Sequence, residues 1–392
     1  MLRKALFWTH LAAGLIAESV VLIMSATGVA LMYERQILGW LERGPAREKI
    51  AAAGERRSIE TAAAERKAVA VTIRAASDEP VELTLAKGAQ FVDPYTGVEL
   101  AGGSTGARKT FRAIMAWHRW LGVEGEGRAT AKAITGACNL AFLGLVITGA
   151  ILWWPKQLTW RHIRPIVWFK GGLGAKAREF NWHNTIGFWL AIPLFFVALT
   201  AAPISYRWAG DLIYKATGTA PAPPPATAAK GPADWSGLDR ALAAARTQVP
   251  DWTSLSVRGV SAASAFTVAV DRGEGGQPQK RSTMTVSRDG RIEKWERFED
   301  WNLGRRLRSW SRFTHTGEAF GILGQTIAGL ASMGGVFLVY TGVALSLRRF
   351  AAWRKRQASR NGDLISFGGG GREKAPAGDA LSNGAPVGAK HR

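Results

Sequence analysis

HLAAGLIAESVVLIMSATG at residues 10–28 and HNTIGFWLAIPLFFVALTA at residues 183–201 each place a histidine 17 positions ahead of a threonine, with a largely apolar run between. The apolar character around them extends over about 5–33 and 184–206, and two further stretches, about 134–154 and 319–347, share it. Roughly 20 consecutive apolar residues cross a bilayer as one helix, so the chain is expected to span a membrane four times. Its 392 residues are 47% hydrophobic with 17 tryptophans, and that content is concentrated in these blocks rather than spread as in a soluble domain. The first block imitates a signal peptide, with basic residues before it and ATGVA inside it, but signal cores reach only about 15 residues. It is expected to be a retained helix. The single cysteine, Cys138, lies in the second span, which excludes a disulfide framework and a cysteine metal cluster.

A net charge of +21 invites a nucleic-acid reading, but the placement of the charges opposes it. Arg3 and Lys4 precede the first span; Lys156, Arg161, Arg164, Lys170, Lys176 and Arg178 fill the short loop after the second; Arg348, Arg349, Arg354, Lys355 and Arg356 follow the fourth. These positions share one side of the membrane, which the positive-inside rule makes cytoplasmic. The basic balance then reflects topology and anionic lipid, with no nucleic-acid partner.

The topology puts two long loops outside. Residues 34–116 contain a helical stretch, RSIETAAAERKAVA, and two strands in VELTLAKGAQFVDPYTGVEL that turn at Asp93-Pro94-Tyr95-Thr96-Gly97. Residues 207–312 repeat the order, with WSGLDRALAAARTQ followed by strands that turn at Arg288-Asp289-Gly290. Each loop is expected to hold a small α+β module. Residues 117–154 should form an outer-side helix and the second span, 155–183 a cytoplasmic loop, and 313–347 the fourth span with its approach. TGTAPAPPPATAAKGPA at 217–233 reads as a linker, and 362–392 as a disordered cytoplasmic tail whose FGGGG lacks the strand and helix of a nucleotide loop.

The opening pair of segments belongs to a longer repeat. His118 precedes an apolar span ending in Thr148-Gly149, and His315 precedes one ending in Thr341-Gly342. The chain therefore reads as two copies of one unit, histidine, span, outer module, histidine, span. Two spans per copy keep both in one orientation, so the expected fold is an all-α four-helix transmembrane bundle of two parallel repeats carrying two outer α+β modules. Symmetry then supplies one histidine pair per membrane face, His10 with His183 inside and His118 with His315 outside. At about 1.5 Å per residue, 17 residues cover roughly 25 Å, which sets the pairs near opposite boundaries of the hydrocarbon.

Two imidazoles facing each other across a helical bundle suit bis-histidine ligation of haem b, giving two haems. Gly14, Gly28, Gly144, Gly187, Gly321 and Gly324 would leave room for a flat macrocycle, and Trp117, Trp120, Trp182 and Trp189 would pack against it. Arg119, Arg128, Arg308 and Arg312 would hold propionates with forked hydrogen bonds, and Arg305, Arg308 and Arg312 share a helix face leading to His315. Each feature has a plainer explanation: interfacial histidines and tryptophans as anchors, arginines as contacts for lipid phosphates. Four repeat-related histidines in intramembrane positions favour function, because such groups are costly. His162 and His391 have no repeat partner and read as solvated. Glu18, inside the first span, is either protonated or turned to the bundle interior, where proton coupling or a quinone site is the functional alternative; Asn139 is a weaker intramembrane signal.

HRWLG with the later ITGAILWWPK, WHNTIGFW leading into a proline-bearing span, and HTGEAFGILGQ leading to YTGVALSLRR resemble the PepSY-associated transmembrane proteins, often called iron-regulated membrane proteins, across about residues 1–356. The resemblance implies an inner-membrane four-helix bundle with two periplasmic PepSY-like modules, both termini cytoplasmic, and haem ligation by His10, His118, His183 and His315. It also implies a haem-dependent reductase of periplasmic ferric siderophores or other ferric chelates. The chain departs from the pattern at Glu18 and at Thr200-Ala201, which stands where the first repeat has Thr27-Gly28. With no dinucleotide fingerprint, a quinol or a separate cytoplasmic reductase is the expected electron donor. The rivals are a non-catalytic membrane protein whose PepSY-like modules bind or regulate a peptidase or envelope partner, and a metal transporter, which the lack of a midplane site disfavours.

Overall fold

The computed structural model describes residues 1–50, 54–101, 105–155, 157–221, 233–260 and 264–368. In chain order the helices are α1 (Leu2–Leu31), α2 (Glu34–Arg47), α3 (Ile59–Glu65), α4 (Thr105–Trp120), α5 (Arg128–Trp153), α6 (Trp160–Val167), α7 (Ala175–Ser205), α8 (Arg207–Thr217), α9 (Leu238–Gln248), α10 (Leu303–His315) and α11 (Gly321–Gly368). The strands are β1 (Ala70–Arg74), β2 (Val81–Leu85), β3 (Gly88–Val92), β4 (Glu99–Leu100), β5 (Ser254–Arg258), β6 (Phe266–Asp271), β7 (Arg281–Val286) and β8 (Ile292–Arg297).

Four helical segments are long and apolar enough to cross a membrane: Leu2–Leu31, Gly125–Trp153, Ala175–Ser205 and Glu318–Ser359. Their apolar side chains largely face outward, as a lipid solvent permits, and the inner contacts use small or polar residues. Asn139 of α5 is buried and donates to the Ala198 carbonyl of α7 at 2.9 Å, so its role is to join two helices. On α11, a Cβ at Gly335 would come within 2.7 Å of the Ser25 hydroxyl, which shows how closely α1 and α11 approach. Glu18 is half-buried on α1 and makes no hydrogen bond or ion pair among the described residues. Helix α11 runs to Gly368, past the expected start of the tail at 362; the rest of the tail, and 222–232 of the linker, lie outside the described residues.

The two long loops differ from expectation in one respect. Instead of two separate modules, their strands form one eight-stranded antiparallel sheet in the order β4-β3-β2-β1-β5-β6-β7-β8. The seam is the β1–β5 pair, centred on Thr72 opposite Ser256, whose hydroxyls meet at 2.9 Å. Alternation along the strands sends Val71, Ile73, Leu83, Leu255, Val257, Phe266, Val268, Val270, Met284 and Val286 to one face, where they share a single core with Leu238 and Leu242 of α9 and Ile59 of α3. The two helices cap one another. The Asp239 carboxylate accepts from Ile59 N at 3.0 Å and Ser58 Oγ at 2.6 Å, while the Glu60 carboxylate accepts from Gly237 N at 2.9 Å. Each acid neutralises donors that a helix N-terminus leaves unpaired. First strands that pair with each other expose fewer free edges than two four-stranded sheets would, which explains the fusion. The expected turns form, with Asp93 Oδ1 accepting from Tyr95 N at 2.7 Å and Gly290 at φ +92°.

Salt bridges tie the sheet to the helices emerging from the bundle. Arg43 and Arg47 of α2 both reach Glu79, between β1 and β2, and Arg305 of α10 meets Glu296 of β8 at 3.1 Å; a further pair, Arg35 with Glu318 at 2.9 Å, joins α2 to the turn ahead of α11.

Candidate functional site

The sequence pairs its histidines across the two halves of the chain, and the fold brings the same partners together. The His10 and His183 rings, on α1 and α7, have centroids 6.5 Å apart with planes at 87°. At the other end of the bundle, the His118 and His315 rings, on the last turns of α4 and α10, are 6.2 Å apart at 48°. Two imidazoles ligating one iron from opposite sides, with metal–nitrogen bonds of about 2.0 Å and roughly 1.1 Å from nitrogen to ring centre, would have centroids about 6.2 Å apart. Both pairs therefore match the spacing of axial haem ligands.

The ring nitrogens carry the second part of the test. His10 Nδ1 bonds Thr148 Oγ1 at 2.8 Å, His118 Nδ1 bonds Thr27 Oγ1 at 3.0 Å, and His183 Nδ1 bonds Thr341 Oγ1 at 2.9 Å. His315 Nδ1 instead donates to the Val197 carbonyl at 2.9 Å. With Nδ1 occupied, Nε2 is the nitrogen available as a ligand in all four rings. In the outer pair burial, with the neighbouring His315 ring, pulls the His118 pKa down to about 4, and burial lowers His315 as well. Both shifts favour the neutral ring, which is the form that metal ligation requires. The threonines are the residues that sequence reasoning left without a role. Their signal was present in the shared 17-residue spacing and the Thr-Gly motifs, but which helix each serves is a tertiary fact.

Glycine follows three of these threonines. A Cβ at Gly149 would lie 3.4 Å from His10 Cε1, and at Gly28 and Gly342 it would lie 3.6 Å from His118 Cε1 and 3.7 Å from His183 Cε1. These glycines let each ring lie against helix backbone. Gly321 and Gly324 do not line a ring; they shape the turn after His315, where Gly321 has φ +63° and Gly324 packs on Gly317.

The arginines separate into two groups. Arg119 and Arg312 lie on the surface beside the outer pair, and partial desolvation of the Arg119 head group, together with the charges of Arg128 and Arg312, lowers the Arg119 pKa. The guanidinium carbons of Arg119 and Arg128 lie 5.0 Å and 3.8 Å from the centroid of the Trp120 ring. Like charges gathered without a carboxylate contact among the described residues suit the binding of an anion. Arg308 is different, because its guanidinium donates to the Pro203 carbonyl near the end of α7 and packs beside Gly210. Arg305 is committed to Glu296 and stacks 3.8 Å from the Trp301 centroid. Arg308 is thus a helix-end clamp and not a free propionate ligand. Trp117 covers the Leu121-Gly122 turn, Trp182 lies under Arg178 at 5.5 Å, and Trp189 donates to the Val167 carbonyl, so each tryptophan has another partner. His162 stays peripheral, with Nδ1 bonded to Thr159 Oγ1 at 2.7 Å; His391 lies outside the described residues.

Among the described residues no group of three or more His, Cys, Asp or Glu side chains is placed to hold a metal ion. The histidines stand in pairs, a number that would suit a metal whose other ligands came from a macrocycle. A search of curated proteins returns no match for the chain. The family model described as the PepSY-associated TM region matches residues 7–349, which include all four paired histidines, both strand-bearing loops, the second and third apolar spans and most of the first and fourth, and the chain belongs to that family.

Proposed function

We propose that this chain is a di-haem oxidoreductase of a bacterial inner membrane that reduces a ferric siderophore or another ferric chelate on its outer side and releases Fe(II). The observation that carries the reading is the geometry of the two histidine pairs, 6.5 and 6.2 Å between ring centroids with every Nδ1 engaged. His10 and His183 would hold an inner haem b and His118 and His315 an outer one. Haem b, when bound, supplies reversible one-electron chemistry that no protein side chain here offers. Arg119, Arg128 and Arg312 would neutralise propionates at the outer site, at the edge of the bundle. Basic residues before α1 and between α5 and α7 support cytoplasmic termini, which sets the sheet in the periplasm. There the two halves form a PepSY-like pair fused through β1 and β5, and the bundle reads as two parallel repeats.

Reducing the substrate iron from Fe(III) to Fe(II) lowers its charge, and hard oxygen donors then hold it less strongly. The electrons come from a quinol or a separate cytoplasmic reductase. Purified protein loaded with haem is expected to show a Soret band and, after reduction, sharp α and β bands, at two haems per chain. A colourless protein from cells supplied with haem overturns the reading and favours a non-catalytic role for the sheet as a partner-binding surface.

A further inference from the structure

Every one of the four histidines docks on a helical turn that ends in threonine, and in all four the threonine hydroxyl is already bonded within its own helix. Thr27 donates to Ile23 O at 2.6 Å, Thr148 to Gly144 O at 2.7 Å, Thr200 to Phe196 O at 2.5 Å and Thr341 to Phe337 O at 2.8 Å. A hydroxyl has one proton. With that proton given to the carbonyl four residues back, the oxygen can only accept from the imidazole, so histidine must carry its proton on Nδ1. The fourth turn reaches the same result differently. Thr200 lies 3.3 Å from the Val197 carbonyl, and it is this carbonyl that takes the His315 proton.

We infer that Thr27, Thr148 and Thr341, with the Val197 carbonyl as the fourth member, are positioning groups that fix the tautomer and orientation of the paired histidines, and that they act crosswise. The inner pair is held by α5 and α11, through Thr148 and Thr341. The outer pair is held by α1 and α7, the helices that carry the inner histidines. Thr27 therefore serves the outer site although it shares a helix with His10, and Thr200 is dispensable. The functional meaning of the tether rests on the haem reading, but the tautomer is a property of the haem-free chain and is tested there.

The experiment uses the full chain labelled with 15N-histidine, haem-free, in detergent micelles or nanodiscs. In the wild type all four rings are expected to show a protonated Nδ1 and a bare Nε2. Thr148→Val should shift the His10 imidazole signals and spare those of His118, Thr148→Ser should restore them, and Thr27→Val should shift His118 alone. Thr200→Val should leave His315 unchanged. An Nε2-protonated ring in the wild type, a Thr27→Val effect on His10 instead of His118, or a Thr200→Val effect as large as that of Thr27→Val overturns the inference. Haem titration of the same samples separates the two ideas. Correct tautomers without haem uptake defeat the haem reading alone. Haem uptake whose low-spin EPR signals ignore Thr27→Val, Thr148→Val and Thr341→Val defeats the tether alone.

Discussion

The inner and outer histidine pairs have nearly the same spacing and are built from different parts. His10 and His183 sit within two spans, so their separation follows from the packing of the bundle itself. His118 and His315 stand on α4 and α10, which are continuous with the sheet-bearing loops and close over the bundle from one end. The outer pair has Arg119, Arg128 and Arg312 gathered beside it, and its His315 ring gives its Nδ1 proton to the Val197 carbonyl where the other three rings meet threonine hydroxyls. A site assembled from spans inherits the rigidity of the membrane core. The second site is closed instead by two helices that lead out of the strand-bearing loops.

The largest test of that contrast removes ligands. His118→Ala or His315→Ala should abolish the outer haem and halve the haem content while the inner signal persists, and His10→Ala or His183→Ala should do the reverse; pyridine haemochrome and EPR measurements on each variant check it. Equal loss of both haems from either substitution breaks the pairing.

Next in size, the Arg119→Ala, Arg312→Ala double variant should weaken retention of the outer haem by about tenfold, as expected when charge-assisted hydrogen bonds worth about 1.5 kcal/mol are lost, and leave the inner one unchanged. Arg308→Ala should behave differently. It deprives the Pro203 carbonyl of its donor, so a loss of about 1–2 kcal/mol in stability toward denaturant is expected, without selective loss of the outer haem.

The smallest effects come from the glycines. Gly149→Ala brings a Cβ to 3.4 Å from His10, closer than the 3.6 and 3.7 Å at Gly28 and Gly342. Gly149→Ala should shift the inner midpoint potential by a few tens of millivolts at most, about 1 kcal/mol or less of ligand strain, and Gly28→Ala and Gly342→Ala should shift theirs less. Redox titration with optical detection orders the three.

The two His-to-Thr segments of 17 residues, read as helices of known rise, sufficed to pair four histidines and divide them between two ends of a helix bundle. The periodicity of the outer loops also gave their helix-then-strand order and the turns at Asp93 and Gly290. What could not be read was any contact between segments distant in sequence that shows no local pattern. Arg308 looked equivalent to Arg312 on one helix face, yet the Pro203 carbonyl claims it. Thr200 looked like the counterpart of Thr27, yet His315 bonds the carbonyl beside it. Single loops likewise gave no sign that β1 and β5 would pair, because an edge strand carries no label for its partner.

The sequence by itself determined the four apolar spans and the histidines beside them, since these depend on composition and helical rise, which act locally. Only the tertiary structure decided that the two outer sets of strands share one sheet, that the threonines hold histidines on other helices, and which arginines remain free. Those outcomes depend on which hydrogen-bonding groups meet once the chain is packed, and burial makes each such group take the partner that the neighbouring helix presents.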